Sequence, residues 1–226
     1  MTEAATERAG AGYVVPAREA RAEMRVVNSR FIATAAPAFT VDEARAFVER
    51  VKREFGDATH NVPAYLVGHG ATVVAHCSDD GEPAGTAGRP ALAVLRGSGL
   101  GDVAVVVTRY FGGTKLGTGG LVRAYGDAVR EVLAVLPRAA RVPTHTVEIV
   151  TPYSLFERLR RLVGAHGGRI LDEDFAAQVS VSAQVSVARF PAFRAALQEM
   201  SAGTLDAEII ETNERTILPI DGKEGP

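Results

Sequence analysis

Val103-Ala104-Val105-Val106-Val107-Thr108-Arg109-Tyr110-Phe111-Gly112-Gly113-Thr114-Lys115-Leu116-Gly117-Thr118-Gly119-Gly120 is where the chain declares its architecture. The apolar run at 103–107 reads as a buried strand. Five glycines follow within nine residues, and a helical run at 121–136 comes directly after them. A strand that feeds a glycine loop that opens a helix leaves free backbone N–H groups at the positive end of the helix dipole. That arrangement suits an anion. Arg109, Lys115 and Arg123 bracket it with positive charge. The sequence therefore nominates Arg109, Gly112, Gly113, Lys115, Gly117, Thr118, Gly119, Gly120 and Arg123 as an anion-binding set. The competing reading is structural: the glycines serve backbone turns and close helix packing. The loop is not a P-loop, because Lys115 does not directly follow a glycine, and no G-x-G-x-x-G with a downstream acid marks a dinucleotide fold.

Composition narrows the function classes. The chain has 226 residues, 46% hydrophobic and 23% charged, with a net charge of −2. These values are those of an ordinary globular protein. Neither half is polybasic, so nucleic-acid contact would be local rather than a general attraction. No apolar run reaches the length of a membrane span, and no secretory signal opens the chain. Cys77 is the single cysteine, which excludes an internal disulfide and fits a cytoplasmic location.

Outward from the central stretch, the pattern divides the chain. Residues 1–12 read as a flexible tail. A strand is expected at 29–35, and Thr40-Val41-Asp42-Glu43 is a capping box for a helix carrying Ala44, Phe47, Val48 and Val51. Strands are expected at 65–67 and 72–75 around Gly68-His69-Gly70, and Pro90 suits the first turn of a short helix. Pro137 and Pro143 mark a boundary, giving a first domain at 13–138 and a second at 139–220, with a loose end at 221–226. The second domain reads strand 146–150, helix 155–163, strands 169–171 and 179–187, helix 190–200 and strand 205–210. This β-α-β-β-α-β order is the ferredoxin-like plan, and the fold class is α+β.

The acidic loop Ser78-Asp79-Asp80-Gly81-Glu82-Pro83-Ala84-Gly85-Thr86-Ala87-Gly88 is the second candidate feature. Asp79, Asp80 and Glu82, with Gly85 and Thr86, would line a wall facing the glycine loop. Such carboxylates could hold Mg²⁺ against a phosphate, could be a simple turn, or could pair with Arg109 or Lys115 and shape a site without metal. No firm metal site or cofactor emerges, and the spacing is not that of an EF-hand. His60 and Glu82 are the candidate bases if the protein is an enzyme. Tyr110 and Phe111, beside Arg109 and Lys115, are candidates for stacking RNA bases or for capping the core. A basic cluster, Arg158, Arg160, Arg161 and Arg169, reads as an RNA contact or a solvated face.

The acidic loop, the run from Val107 to Tyr125, Ser29-Arg30-Phe31-Ile32 and Asp57-Ala58-Thr59-His60 together resemble the YigZ/IMPACT family. The resemblance implies a first domain with the βαβ-rich fold of a small-subunit ribosomal protein and of elongation factor G domain IV. It implies a second domain similar to elongation factor G domain V. Eukaryotic members regulate translation through protein–protein contacts in a stress-kinase pathway, so the implied function is non-enzymatic binding linked to translation. One departure stands out: the family often continues His-His-Cys where this chain reads His60-Asn61-Val62, which leaves His60 alone. Two other readings stay open. One is an enzyme acting on a phosphorylated or anionic small molecule, possibly with Mg²⁺. The other is a protein-interaction adaptor whose glycine loop is purely structural. The partners expected are RNA, the ribosome or a translation-linked protein, with no membrane.

Overall fold

The computed structural model describes residues 12–219. The remainder of the expected N-terminal tail and the expected loose end at 221–226 lie outside the described residues. Contacts divide the chain into Tyr13–Ala139 and a unit that continues from Ala140.

The first unit comprises β1 (Tyr13–Pro16), β2 (Ala20–Val26), β3 (Ser29–Pro37), α1 (Val41–Glu54), β4 (His60–Val67), β5 (Val74–Cys77), α2 (Gly88–Gly97), β6 (Val103–Tyr110) and α3 (Gly117–Val135). Its sheet runs β2-β3-β6-β4-β5, every neighbouring pair antiparallel. Two split βαβ units follow from that order: β3-α1-β4 flanks β6, and β5-α2-β6 flanks β4. Helix α1 starts at the expected N-cap, with the reciprocal arm of the capping box reaching one residue further back, to Phe39. Thr40 Oγ1 accepts the Glu43 N–H at 3.1 Å, and the Glu43 carboxylate accepts the Phe39 N–H at 2.8 Å. Its apolar stripe Ala44, Phe47, Val48 and Val51 packs on Ala36, Tyr65, Ala104 and Val106. Alternation turns Val103, Val105 and Val107 to the other face of the sheet, where α2 and α3 lie. Strand β6 is thus covered on both sides, which is why its sequence is an unbroken apolar run.

The second unit takes in β7 (Arg138–Thr151), α4 (Tyr153–Ala165), β8 (Arg169–Phe175), β9 (Val179–Ser186), α5 (Phe190–Met200) and β10 (Glu208–Pro219). Strand β9 pairs antiparallel with β7 and β8, and β10 pairs with the opposite side of β7. The order β10-β7-β9-β8 is ferredoxin-like, and the class is α+β. Val147, Ile149, Val181 and Ala183 are buried beneath Leu159, Val163, Phe193 and Leu197.

Several boundaries differ from the sequence expectation, among them the strand expected at 72–75, which is β5 at Val74–Cys77, and the strand expected at 169–171, which runs on to Phe175. Strand β4 begins at His60, because Pro63, which argues against a central strand, sits where β5 has already ended; its carbonyl accepts the Ser78 N–H at 3.2 Å. Helix α3 begins at Gly117 and takes the last three glycines of the loop as its first turn. Strand β7 runs through Pro143, whose carbonyl accepts the Val187 N–H at 3.0 Å. Leu205 and Ala207 are core residues that precede β10 rather than members of it.

Candidate functional site

Arg109 stands near the end of β6, flanked across the sheet by Phe31 on β3 and His60 on β4. It shares the face of Val105 and Val107, so its side chain enters the layer between sheet and α3. Only 4% of it is exposed. A buried guanidinium requires a counter-charge, and Glu82 from the acidic loop supplies one: Arg109 Nη1 donates to Glu82 Oε1 at 2.6 Å. Nη2 donates to Ser29 Oγ at 3.2 Å. Tyr125, reaching up from α3, donates to the same Glu82 oxygen at 2.7 Å. The phenol is pushed far above its ordinary pKa by burial first, and then by its bond to Glu82 and that carboxylate's charge. It therefore stays a donor throughout the accessible pH range. The guanidinium lies 5.5 Å from the ring centres of both Phe31 and Phe111. Its Nε is buried without an acceptor.

His60 completes the cluster. Its Nδ1 lies 2.8 Å from the Asp80 carbonyl oxygen, so that nitrogen carries the hydrogen. Its Nε2 faces Glu82 Oε2 at 3.8 Å.

Each carboxylate of the acidic loop has its own task. Asp79 caps α2: Oδ1 accepts the N–H groups of Ala87 and Gly88 at 3.1 and 2.8 Å, and Oδ2 accepts that of Gly85 at 2.7 Å. Burial alone would raise this carboxyl. The N–H bonds from Gly85, Gly88 and Ala87, with Arg89 nearby, outweigh it and hold the pKa below the ordinary value. Asp80 accepts from Lys52 Nζ and from the Asn61 N–H, both at 2.7 Å. Thr86 Oγ1 donates to the Pro83 carbonyl at 2.7 Å, and Gly85 turns the loop at φ +76°. The loop therefore pairs with Arg109 and shapes the cluster. Among the described residues, no group of three His, Cys, Asp or Glu side chains converges as a metal ion would need.

A prediction follows for Asp79. Asp79→Ala will lower stability by about 1–2 kcal/mol, the usual loss of a helix cap, in urea unfolding at pH 7. Because the folded pKa is depressed, this stabilisation is full above the unfolded value near 4 and disappears as pH falls through the folded one. The gap between wild type and variant will accordingly close on acidification below pH 4.

The glycines separate by cause. Gly113 and Gly117 have φ of +82° and +71°, a conformation that only glycine adopts readily. At Gly112 a Cβ would meet the Asn28 carbonyl oxygen at 2.0 Å, and at Gly120 the Leu116 Cβ at 3.1 Å. Gly119 has neither reason: its φ is not positive and a Cβ there would meet nothing within 4 Å. Gly119→Ala is expected to raise stability by about 0.5–1 kcal/mol through helix propensity, read as a higher melting temperature. Thr118 and Gly119 are exposed, and α3 has no side-chain N-cap. Lys115 and Arg123 are exposed, and neither has an ion-pair partner among the described residues. Arg109, by contrast, is spent on Glu82. Tyr110 turns to the opposite face and donates to Asp57 at 2.8 Å, whereas Phe111 is 45% exposed above Arg109.

Ser29 and Tyr125 belong to the family-resembling segments but not to the candidate site set, yet they hold the cluster. The available signal for Tyr125 was its place on the apolar stripe of α3 with Leu121 and Ala128, where a buried hydroxyl needs a partner.

Residues 27–133 match the Impact N-terminal domain, and residues 149–204 match a domain of unknown function, DUF1949. Over 200 residues the chain is 38% identical to the IMPACT family member YigZ of Escherichia coli K12, covering 88% of this chain and 98% of that protein. The chain belongs to the IMPACT family. An IMPACT family member of Haemophilus influenzae is 36% identical over 205 residues, covering 90% of this chain and all of that one. A crystal structure described as that of a hypothetical protein is 37% identical, with a TM-score of 0.57 over 88% of this chain and 98% of that chain. The acidic loop, the Arg109 cluster and the glycine loop all fall within the stretch matched to the IMPACT N-terminal domain. No helix among the described residues is long and apolar enough to cross a membrane.

Proposed function

We propose that this IMPACT family protein works by binding, holding a phosphate or other acidic group of RNA, the ribosome or a translation-linked partner at the start of α3. The observation that carries this reading is Gly119, a glycine on an exposed, uncapped helix start with open space where its side chain would be. Neither turn geometry nor packing accounts for it, and the open space leaves room for a ligand. The amides of 117–120 would meet the oxygens, and Lys115 and Arg123 would add charge. Phe111 offers an aromatic surface beside them. The link to translation comes from the family's eukaryotic members.

Turnover has less support. Glu82 Oε1 already accepts from Arg109 and Tyr125, so this carboxylate is occupied by a structural role and is a poor base.

The test is cosedimentation with ribosomes at two salt concentrations. Wild type is expected to be retained at low salt and released as salt rises, with Lys115→Ala retained about five- to tenfold less, on the order of 1 kcal/mol. Equal retention of wild type and Lys115→Ala, or no retention of either, would overturn the reading.

A further inference from the structure

Strand β10, Glu208–Pro219, lies at one edge of the second unit's sheet. Among the described residues its strand partner is β7, so its outer row of backbone N–H and C=O groups faces no other strand. Every residue from Glu208 to Arg215 is exposed. Sheet edges are usually guarded by lysine, proline or a covering element. Residues 208–218 contain neither lysine nor proline, and Ile209, Ile210 and Ile217 are 45%, 57% and 37% exposed. The Arg215 N–H donates to Asn213 Oδ1 at 2.8 Å, a bond made inside the strand. An edge of this kind is a template for a further strand.

The residues of β10 specify which strand fits. Alternation puts Ile209, Glu211, Asn213, Arg215 and Ile217 on one face. Read in the reverse direction this row is its own complement, with acid meeting base and isoleucine meeting isoleucine. Laid antiparallel to a second copy about a two-fold axis at Asn213, Glu211 of each chain faces Arg215 of the other, and Ile209 faces Ile217. Directly opposed side chains sit about 5 Å apart, close enough for two ion pairs and two apolar pairs. Glu211 and Arg215 are exposed, and neither has an ion-pair partner among the described residues. Neighbouring registers fit worse. An axis at Thr212 sets Ile209 against Arg215, and one at Glu214 sets that carboxylate against its own copy. Ile209 also lines a cavity of about 730 Å³ with Phe190 and Leu205, so the second copy's Ile217 would meet apolar surface there.

We propose that β10 pairs antiparallel with β10 of a second copy of this chain, joining two sheets into one across a two-fold axis. The chain itself is the occupant because its own edge carries the matching order of charges and isoleucines. The inference is independent of the anion site on α3.

Sedimentation equilibrium of the full chain at low salt, over a range of micromolar concentrations, tests it. The wild-type mass is expected to rise from that of the 23.8 kDa chain towards twice that value as concentration increases. Glu211→Arg alone and Arg215→Glu alone each set like charges opposite one another, and each should weaken self-association about tenfold or more. Mixing these two variants in equal amounts recreates both ion pairs and should restore association, as should the double variant Glu211→Arg/Arg215→Glu. Lys115→Ala should associate like wild type. Association should also slow hydrogen exchange of the 208–217 amides. Both substituted side chains are exposed, and melting curves check that each variant is folded. A wild type that stays monomeric throughout overturns the proposal and leaves the edge to a strand of another protein. So does a dimer that either charge reversal leaves unchanged, one that neither the mixture nor the double variant restores, or one that leaves the 208–217 amides unprotected.

Discussion

Glu82→Ala will lower the unfolding free energy by about 3–5 kcal/mol, because it leaves the Arg109 guanidinium buried without its counter-charge. Arg109 is 4% exposed and its Nε already lacks an acceptor, so water cannot readily replace the lost carboxylate. The Tyr125 hydroxyl loses its acceptor in the same step. Urea unfolding of the full chain reads the effect. Tyr125→Phe, which removes one donor and leaves the ion pair, should cost only about 1–2 kcal/mol. Replacing both charged partners, Glu82→Leu with Arg109→Met, should recover most of the loss, since an apolar pair of similar size avoids the desolvation of two ions. A Glu82→Ala variant within 1 kcal/mol of wild type would refute this account of the cluster. The pair also reaches the loop above it. Ser29 Oγ accepts from both Arg109 Nη2 and the Gly112 N–H, so the buried ion pair and the first glycine of the loop share one anchor.

Much of this was legible in the residues. The capping box at Thr40 located α1, and strict alternation from Val179 to Val185 located β9 and its buried face. The β-α-β-β-α-β order yielded the second unit's fold. Less legible was anything set by two distant segments meeting. Arg109 reads as a cation beside a glycine loop, and only the pairing of β6 with β3 and β4 reveals that alternation turns it inward. Asp79, Asp80 and Glu82 look equivalent in sequence, yet the loop sends them to three different partners: a helix start, Lys52 and Arg109. Pro63 hid the first half of β4 because local propensity argued against a strand that tertiary pairing imposed. The glycines were ambiguous for the same reason, since turn, packing and ligand access all select the same residue.

Gly112→Ala separates those causes most sharply, and a loss of about 2–3 kcal/mol is expected. The new methyl carbon would stand 2.0 Å from the Asn28 carbonyl oxygen and 2.1 Å from its carbon, both backbone atoms that cannot rotate away. Asn28 belongs to the β2–β3 turn, where Val27 is already held at φ +54°, a strained conformation for a β-branched residue. The turn therefore has little freedom to yield, and the loop must shift instead, pulling the Gly112 N–H from Ser29 Oγ. Gly113→Ala provides the contrast. Its φ of +82° penalises a side chain by about 1 kcal/mol, but a Cβ there would meet nothing within 4 Å. Urea unfolding should thus rank Gly112→Ala below Gly113→Ala, with Gly119→Ala above wild type. If Gly112→Ala proves as stable as Gly119→Ala, the close approach of loop and turn is not what selects this glycine. If the ranking holds and Gly112→Ala also loses ribosome retention at temperatures where it is fully folded, the loop's position, and not only its charge, contributes to binding.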